Sequence, residues 1–367
     1  MINKLVLENL RHRWVRTLLS ALVIGVQVMS ILTLIGLSRG LLQESATRQK
    51  GTGADIFLKP DNGGATISFG TGQTKDAFVG LVAKQPHVQQ ALGVLGQPTS
   101  ELLTTIQGVN IAELEKMSGG IPLVAGRLPT EPDDLLIDQY YAQQNHIHVG
   151  QKWKLLNHEF TISGIMQGGI LGRLMVQLPT LQNLTSNTGR ISQILVKLDD
   201  AALTDQEVAR LNEVLKGNLK AVSMQAVLSQ FNINNIPQLK VFIRVITGLA
   251  VLVGFLVVFL SMYTAVVERT REIGILKALG AKPRTILDIL VREALVLALL
   301  GCLIGIGFSL LTKSVVMALR PASLQIVNVP DWWPWAALIA IAGALLGAIY
   351  PGLKAARQDA IEALAYE

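Results

Sequence analysis

Four stretches of this sequence carry no charged residue for 19 to 23 positions each: Thr17 to Ser38, Val245 to Val267, Ala294 to Thr312 and Trp332 to Leu353. As helix, each is long enough to cross a hydrocarbon core roughly 30 Å thick. Hiding four such helices inside a soluble domain would leave almost none of them with a polar face. The composition points the same way: half of the residues are hydrophobic, only 16% are charged, and the mean hydropathy is +0.43. The fold class expected is an α-helical membrane protein with four transmembrane helices and an α+β extracytoplasmic domain inserted between the first and second. Arg11, Arg13 and Arg16 precede the first run as they would a secretory signal. That run is too long for one, and "GLSRGLLQESATRQK" after it offers no small-residue cleavage site, so an uncleaved anchor is expected.

Lys and Arg near the helix ends set the expected orientation. Lys4, Arg11, Arg13 and Arg16 precede the first helix; Arg269, Arg271, Lys277, Lys282, Arg284 and Arg292 fill the second connection; Lys354 and Arg357 follow the last helix. These three segments, and hence both termini, are expected on the cytoplasmic side of a bacterial inner membrane. The third connection carries only Arg320, with Lys313 at its margin, and ends in Trp332, Trp333 and Trp335, which suit an outer interface. The segment from Arg39 to Arg244 is long enough to cross whatever its flanking charge. The expected layout is residues 1–40 for the N-terminus and first helix, 41–240 for the outer domain with helical stalks, and 241–367 for the remaining helices. The net charge of +6 belongs to the cytoplasmic rim, with no basic stripe and interleaved aromatics of the kind that binds nucleic acid. The single cysteine, Cys302, falls in the third run, so the outer domain has none with which to form a disulfide.

Within the outer segment, "ADIFLKP" and "ISQILVKLDD" read as strands and "DNGGATISFGTGQ" as a Gly-rich loop. Thr204 and Glu207 make a capping box, Val208, Leu211 and Leu215 a buried stripe, and Gly217 a stop, so a helix is expected from 203 to 217. His146, His148 and His158 invite a metal reading, but His-x-His on one strand face has no Cys or convergent carboxylates at ligand spacing, so no metal is assigned. Lone serines near "GQPTSE" lack a base, and no catalytic residue is assigned. Gly301 and Gly305, and Gly343 and Gly347, form small-xxx-small faces for helix packing within or between subunits, and Gln27, polar at membrane depth, could line a pathway or bridge helices, the second being preferred.

The second connection, "ERTREIGILKALGAKPRTIL", is charged and ordered where a short loop would serve. Gly280 stands as the residue after a helix and Pro283 as the first residue of the next, so Glu268 to Leu279 should be a helix of its own. The 3.6-residue wheel gathers Ile273, Ile275, Leu276 and Leu279 on one broad face that should bury. Thr270, Gly274 and Ala278 recur on the other side, which should admit close approach. Such a helix could simply lie on the lipid surface. Glu268 and Glu272 suit a protein groove better than an anionic leaflet, which favours a protein partner.

These residues, together with "YPGLKAARQDAIEALAYE" at the end and "AGRLPTEPDDLLIDQYYAQQNHIHVGQKWKLLNHEFTISGIM" in the outer segment, resemble the MacB/FtsX-like (type VII) family of ABC transporter permeases with its MacB-like periplasmic core domain. The resemblance implies a permease dimer, of two copies or of a copy and a paralogue, coupled to cytoplasmic ABC ATPases. It implies that Glu268, Thr270, Glu272, Ile273, Gly274, Leu276, Ala278, Leu279 and Gly280 form the coupling helix that docks on the ATPase. No G-x-x-x-x-G-K-[ST] loop occurs, so the ATPase is expected on another chain, no cofactor is expected here, and the chain is not expected to be an enzyme. Two functions follow from the resemblance. One is export or extraction of an amphiphilic lipid, lipoprotein, peptide or drug, with a periplasmic adaptor and outer-membrane channel as further partners; the other is FtsX-like signalling to a cell-envelope enzyme.

Overall fold

The structure is a computed structural model describing residues 8, 11–12, 14–61, 74–100, 104–319 and 324–358. Lys4, Arg13, Arg320, most of the Gly-rich stretch after Asp61 and the end of the C-terminal tail lie outside the described residues. In chain order the elements are α1 (Trp14–Lys50), β1 (Ile56–Pro60), β2 (Thr74–Lys75), α2 (Ala77–Ala83), β3 (Val88–Pro98), β4 (Thr105–Val109), α3 (Ile111–Ser118), β5 (Leu123–Gly126) and β6 (Asp134–Asp138). There follow α4 (Gln139–Asn145), β7 (Lys152–Leu155), β8 (His158–Met166), β9 (Leu174–Gln177), α5 (Leu178–Leu184), β10 (Arg190–Ile191), β11 (Gln193–Leu198), α6 (Thr204–Val214), β12 (Leu219–Ser223) and α7 (Met224–Gln230). The chain closes with α8 (Pro237–Glu268), α9 (Thr270–Ala278), α10 (Pro283–Leu319) and α11 (Trp333–Arg357). Two units result, one formed by Met1–Ser38, Pro237–Val316 and Ile326–Glu367, the other by Arg39–Ile236 and Met317–Gln325.

In the first unit, α1, α8, α10 and α11 are each long and apolar enough to cross a membrane, the last together with the short turn from Pro330 that leads into it. In lipid, tight van der Waals contact replaces the hydrophobic effect as the force between helices, so small residues mark where backbones meet. A Cβ on Gly301 would come within 2.6 Å of the Ile24 side chain, and one on Gly305 within 2.6 Å of the Gly25 carbonyl oxygen, so both serve the α1–α10 contact. On α11, a Cβ on Gly347 would approach the Phe255 carbonyl oxygen to 2.9 Å, whereas at Gly343 nothing lies closer than 3.9 Å. Both small-residue faces thus pack inside this subunit. Ser20 and Ser261 hydroxyls meet at 2.8 Å across α1 and α8, and Gln27 is buried where only the absence of a side chain at Gly254 makes room for its amide.

The second unit is built on a ten-stranded mixed sheet of order β12-β1-β11-β3-β4-β9-β6-β8-β5, with β7 on β8. The β4–β9 and β6–β8 pairs are parallel and the other pairs of this sheet antiparallel. Helices cover both faces, so its strands read as nearly continuous apolar runs. Strict alternation sorts them: Ile56, Leu58, Ile194 and Val196 pack with Leu211 and Leu215 near α6, while Phe57 and Leu195 pack with Leu114 and Met117 of α3 and Val227 of α7. Further along, Ile106, Leu135, Ile137, Leu174 and Val176 close over Tyr141, Phe160 and Leu181.

One buried feature of this unit is ionic. Arg173 contacts both Glu44, near the C-terminal end of α1, and Asp138 at 3.5 Å; Glu44 also receives Arg48 at 2.6 Å. The Arg173 and Asp138 side chains are only 5% and 3% exposed. Burial raises the Asp138 pKa above the usual carboxylate value, and the neighbouring Arg173 and the Tyr141 amide oppose that rise. Asp138 also caps α4 by accepting from the Tyr141 N–H at 2.6 Å.

Two local expectations need correction. The helix expected at 203–217 is α6 and stops before Gly217, at φ +79°, but Thr204 is its first residue and not its cap. A short turn over Ala201–Leu203, capped by Asp200, precedes it; the Thr204 hydroxyl donates to the Ala201 carbonyl, and Glu207 is buried beside Arg210. His146 and His148 do not share a strand face: His146 ends α4 with φ 54°, and both lie in the turn before β7. His158 instead binds Asp133 at 2.8 Å and sits edge-on to Phe160, and among the described residues no group of three or more His, Cys, Asp or Glu could hold a metal.

Candidate functional site

The charged connection folds as the separate helix α9, Thr270–Ala278, shorter than the expected 268–279 because Glu268 is the last residue of α8 and Leu279 is the residue that caps the helix end. Arg269 leaves helical geometry at φ −112°, ψ 16° and breaks the chain from α8, while the Thr270 hydroxyl bonds back to the Val267 carbonyl at 2.9 Å. At the other end the Ala281 amide donates to the Leu276 carbonyl and the Gly280 amide to that of Lys277, both at 2.9 Å. This paired closure needs a left-handed residue, which Gly280 supplies at φ +91°; Pro283 then opens α10.

Ile273 is buried as the wheel predicts, but Ile275 and Leu279 of the same expected face are exposed, and Thr270 and Gly274 of the opposite side are buried. Thr270, Ile273 and Gly274 point inward, and Ile273 joins a small core with Val266, Ile286, Leu290 and Ala355 from the ends of α8, α10 and α11. Ile275, Ala278 and Leu279 are exposed, Leu279 at 81%, and Glu272 is exposed with them. Gly274 therefore lies against its own subunit. The solvent-facing stripe is Glu272, Ile275 and Leu279, at i, i+3 and i+7, with Leu276 half-buried at its edge. The wheel places Ile273 but not its neighbours because it weighs side-chain polarity alone. At a crossing with three helices, small Thr270 and Gly274 fit the close approach, and larger Leu279 is left outside.

Three charged contacts hold α9 in place. Glu268, at its entrance, pairs with Arg16 of α1 at 3.0 Å. Arg269, at the corner, points inward to Glu293 of α10 at 3.6 Å, and Glu293 is almost fully buried. Lys277, in the last turn, donates to the Ala356 carbonyl at 2.9 Å and to that of Gln358, so it caps the C-terminal end of α11. Hydrophobicity patterns could not have revealed Arg16, Arg269, Lys277 and Glu293 as a set, because each is an unremarkable charge until the ends of four helices are brought together. The one signal was Glu293 itself, an acid one residue before the third uncharged run.

The comparisons agree with this architecture. Residues 17–214 match the model of the MacB-like periplasmic core domain, and residues 244–360 that of the FtsX-like permease C-terminal domain. The chain is 32% identical over 192 residues to the uncharacterized ABC transporter permease YknZ of Bacillus subtilis, covering 50% of this chain and 46% of that protein. It is 23% identical over 388 residues to the macrolide export ATP-binding/permease protein MacB of Rhodospirillum rubrum, covering 98% of this chain and 59% of that protein. The chain thus spans about half the length of these relatives. The periplasmic region of MacB from Actinobacillus actinomycetemcomitans aligns over 51% of this chain and 96% of its own, at 17% identity and a TM-score of 0.37. With two family models that together cover most of its length and four helices long and apolar enough to cross a membrane, the chain is a multi-pass inner-membrane protein that belongs to the MacB/FtsX-like family of ABC transporter permeases.

Proposed function

We propose that this chain is the transmembrane subunit of an ATP-binding cassette transporter, and that α9 is the helix on which the ATPase pushes. The observation that carries this reading is a nine-residue helix pinned near both ends by ion pairs and carbonyl contacts, with an apolar and acidic stripe turned outward. A helix resting on lipid would gain from burying Leu279 and lose from placing Glu272 beside it. A protein groove can accept both. The Lys and Arg distribution supports cytoplasmic termini and an extracytoplasmic domain between α1 and α8.

Movement of α9 would pass through the packed helix ends to the outer domain, which acts on an amphiphilic substrate such as a lipid, lipoprotein, peptide or drug. The match of 17–214 to a MacB-like core domain, and relatives named as macrolide exporters, favour export over regulation of an envelope enzyme. A permease dimer, a periplasmic adaptor and an outer-membrane channel belong to the same proposal. The test is Leu279→Asp in the full chain. Membrane insertion and thermal stability should stay within about 0.5 kcal/mol of wild type, as for other exposed sites, while co-purification of the cognate ATPase is lost. Unchanged co-purification would overturn the docking role.

A further inference from the structure

Two features of the outer unit have no part in the proposed coupling: the edge of its sheet at β5 and the histidines of the turn after α4. β12 and β5 end the large sheet. The β12 edge is closed at Ala221, whose N–H donates to the Asn212 side-chain oxygen at 2.8 Å and whose carbonyl accepts from the Asn212 amide at 3.0 Å. At β5 all four residues, Leu123 to Gly126, are exposed and none is charged. An edge strand left to solvent ordinarily carries charge. Between Arg39 and Ile236 the exposed large apolar side chains among the described residues are Leu81, Leu123, Val124, Val149 and Val214, so they gather at β5 and at the turn that ends in Val149.

A cleft of about 380 Å³ opens between this edge and α4. Its apolar lining is Val124 of β5, Ile165 of β8, Ala142 of α4 and Ile147 of the turn that follows. Its polar lining is Gln139 and Gln143, one turn apart on α4, with His146 and His148. Among the described residues none of these four side chains bonds to another protein group, and no Lys, Arg, Asp or Glu lines the cleft. Its walls are held in place before any ligand arrives. His146 takes φ 54°, and its N–H and that of Ile147 both donate to the Ala142 carbonyl, the second at 3.0 Å. The Gly150 N–H reaches the Ile162 carbonyl at 2.8 Å and ties the turn to β8. The volume is at the low end of small-molecule sites, which run from roughly 300 to 1,000 Å³, and so suits one hydrocarbon chain better than a two-chain lipid. Amides and imidazoles both donate and accept, as hydroxyl or amide groups require of their partners. A charged head group would find no fixed counter-charge there.

We propose that this cleft binds one uncharged single-chain amphiphile, its apolar chain on Val124, Ala142, Ile147 and Ile165 and its hydroxyl- or amide-bearing head on the glutamines and histidines. The class of ligand rests on the proposed handling of amphiphilic cargo, and the cleft is where such cargo touches the outer domain. The test uses the full chain in nanodiscs of dioleoyl-phosphatidylcholine, without ATPase, and two photoreactive probes that share one diazirine-bearing chain, a monoacylglycerol and the corresponding fatty acid. Mass spectrometry locates the crosslinks. The monoacylglycerol should label wild type at 124 and 139–148, about tenfold more than the fatty acid does, the scale of one uncompensated charge. Val124 is 59% exposed, so the fold tolerates a change there. Val124→Asp should cut monoacylglycerol labelling of the cleft severalfold, and Val124→Lys should raise fatty-acid labelling above that of wild type. Val214→Asp, at an exposed site outside the cleft, should change neither. Equal labelling by the two probes, crosslinks spread over the outer unit, or undiminished labelling in Val124→Asp would overturn the proposal. So would a disulfide between copies formed by Val124→Cys on a Cys302→Ala background in native membranes, because a second copy would then cover the cleft. Absence of labelling would overturn it as well and leave the ATPase co-purification test of α9 untouched.

Discussion

The outer unit and the membrane unit both use ionic contacts, in opposite ways. In the outer unit Glu44, Arg48, Asp138 and Arg173 form one compact cluster with two charges of each sign, buried among apolar cores that already fix the domain. In the membrane unit the contacts are spread around α9, from the half-exposed Arg16–Glu268 pair through the buried Arg269–Glu293 pair to Lys277 on main-chain carbonyls. A buried cluster is dangerous to break, because each remaining charge has lost its water. Around α9 only the Arg269–Glu293 pair is buried in that way; the half-exposed Arg16–Glu268 pair and the Lys277 contacts contribute less to stability and mainly set the direction of the helix. The same chemistry therefore fastens a folded domain in one region and fixes the orientation of a short helix in the other.

The largest effect is expected where the cluster is broken. Arg173→Leu leaves Glu44 and Asp138 facing each other without their shared cation, and should destabilise the outer unit by about 3–5 kcal/mol. Urea titration of the full chain, read by hydrogen exchange in β6 and β9, measures it; a loss below about 1 kcal/mol would show that these groups are solvated and would erase the contrast.

A smaller effect, of a different kind, is expected at Glu293→Gln. Exchange in the outer unit should not change, but ATP-coupled activity should fall by about tenfold as the α9 corner loosens, the range of network mutations on coupling. The charge-swapped pair Arg269→Glu with Glu293→Arg should recover part of it. Equal loss of stability and activity would make Glu293 an ordinary core residue.

The smallest effects separate the two glycines of α11. Gly347→Ala meets the Phe255 backbone and should cost about 1–3 kcal/mol by overpacking. Gly343→Ala has room and should be neutral or stabilising by up to about 1 kcal/mol from helix propensity. Thermal unfolding in one detergent compares them directly.

The four spans, the helix between the second and third, and its closure at Gly280 and Pro283 were legible because they rest on local rules: absence of charge, a left-handed stop and a proline start. The outer strands were legible in part, since "ADIFLKP" and "ISQILVKLDD" alternate, but their places in a ten-stranded order depend on contacts far apart in sequence. The capping box at Thr204 misled because Asp200 starts a turn four residues earlier and takes over the capping. The inward face of α9 misled for a related reason: burial there is decided by the ends of α8, α10 and α11, and no window on α9 alone contains them.

The central claim is that α9 turns Glu272, Ile275 and Leu279 toward the ATPase and keeps Thr270 and Gly274 for its own subunit. Site-specific photocrosslinking measures this directly, with a photoreactive side chain placed in turn at Leu279, Ile275, Thr270 and Gly274 of the full chain co-expressed with its ATPase. The account predicts crosslinks to the ATPase from Leu279 and Ile275, and crosslinks within the permease from Thr270 and Gly274. Capture of the ATPase from Gly274 and Thr270, with none from Leu279, would contradict it.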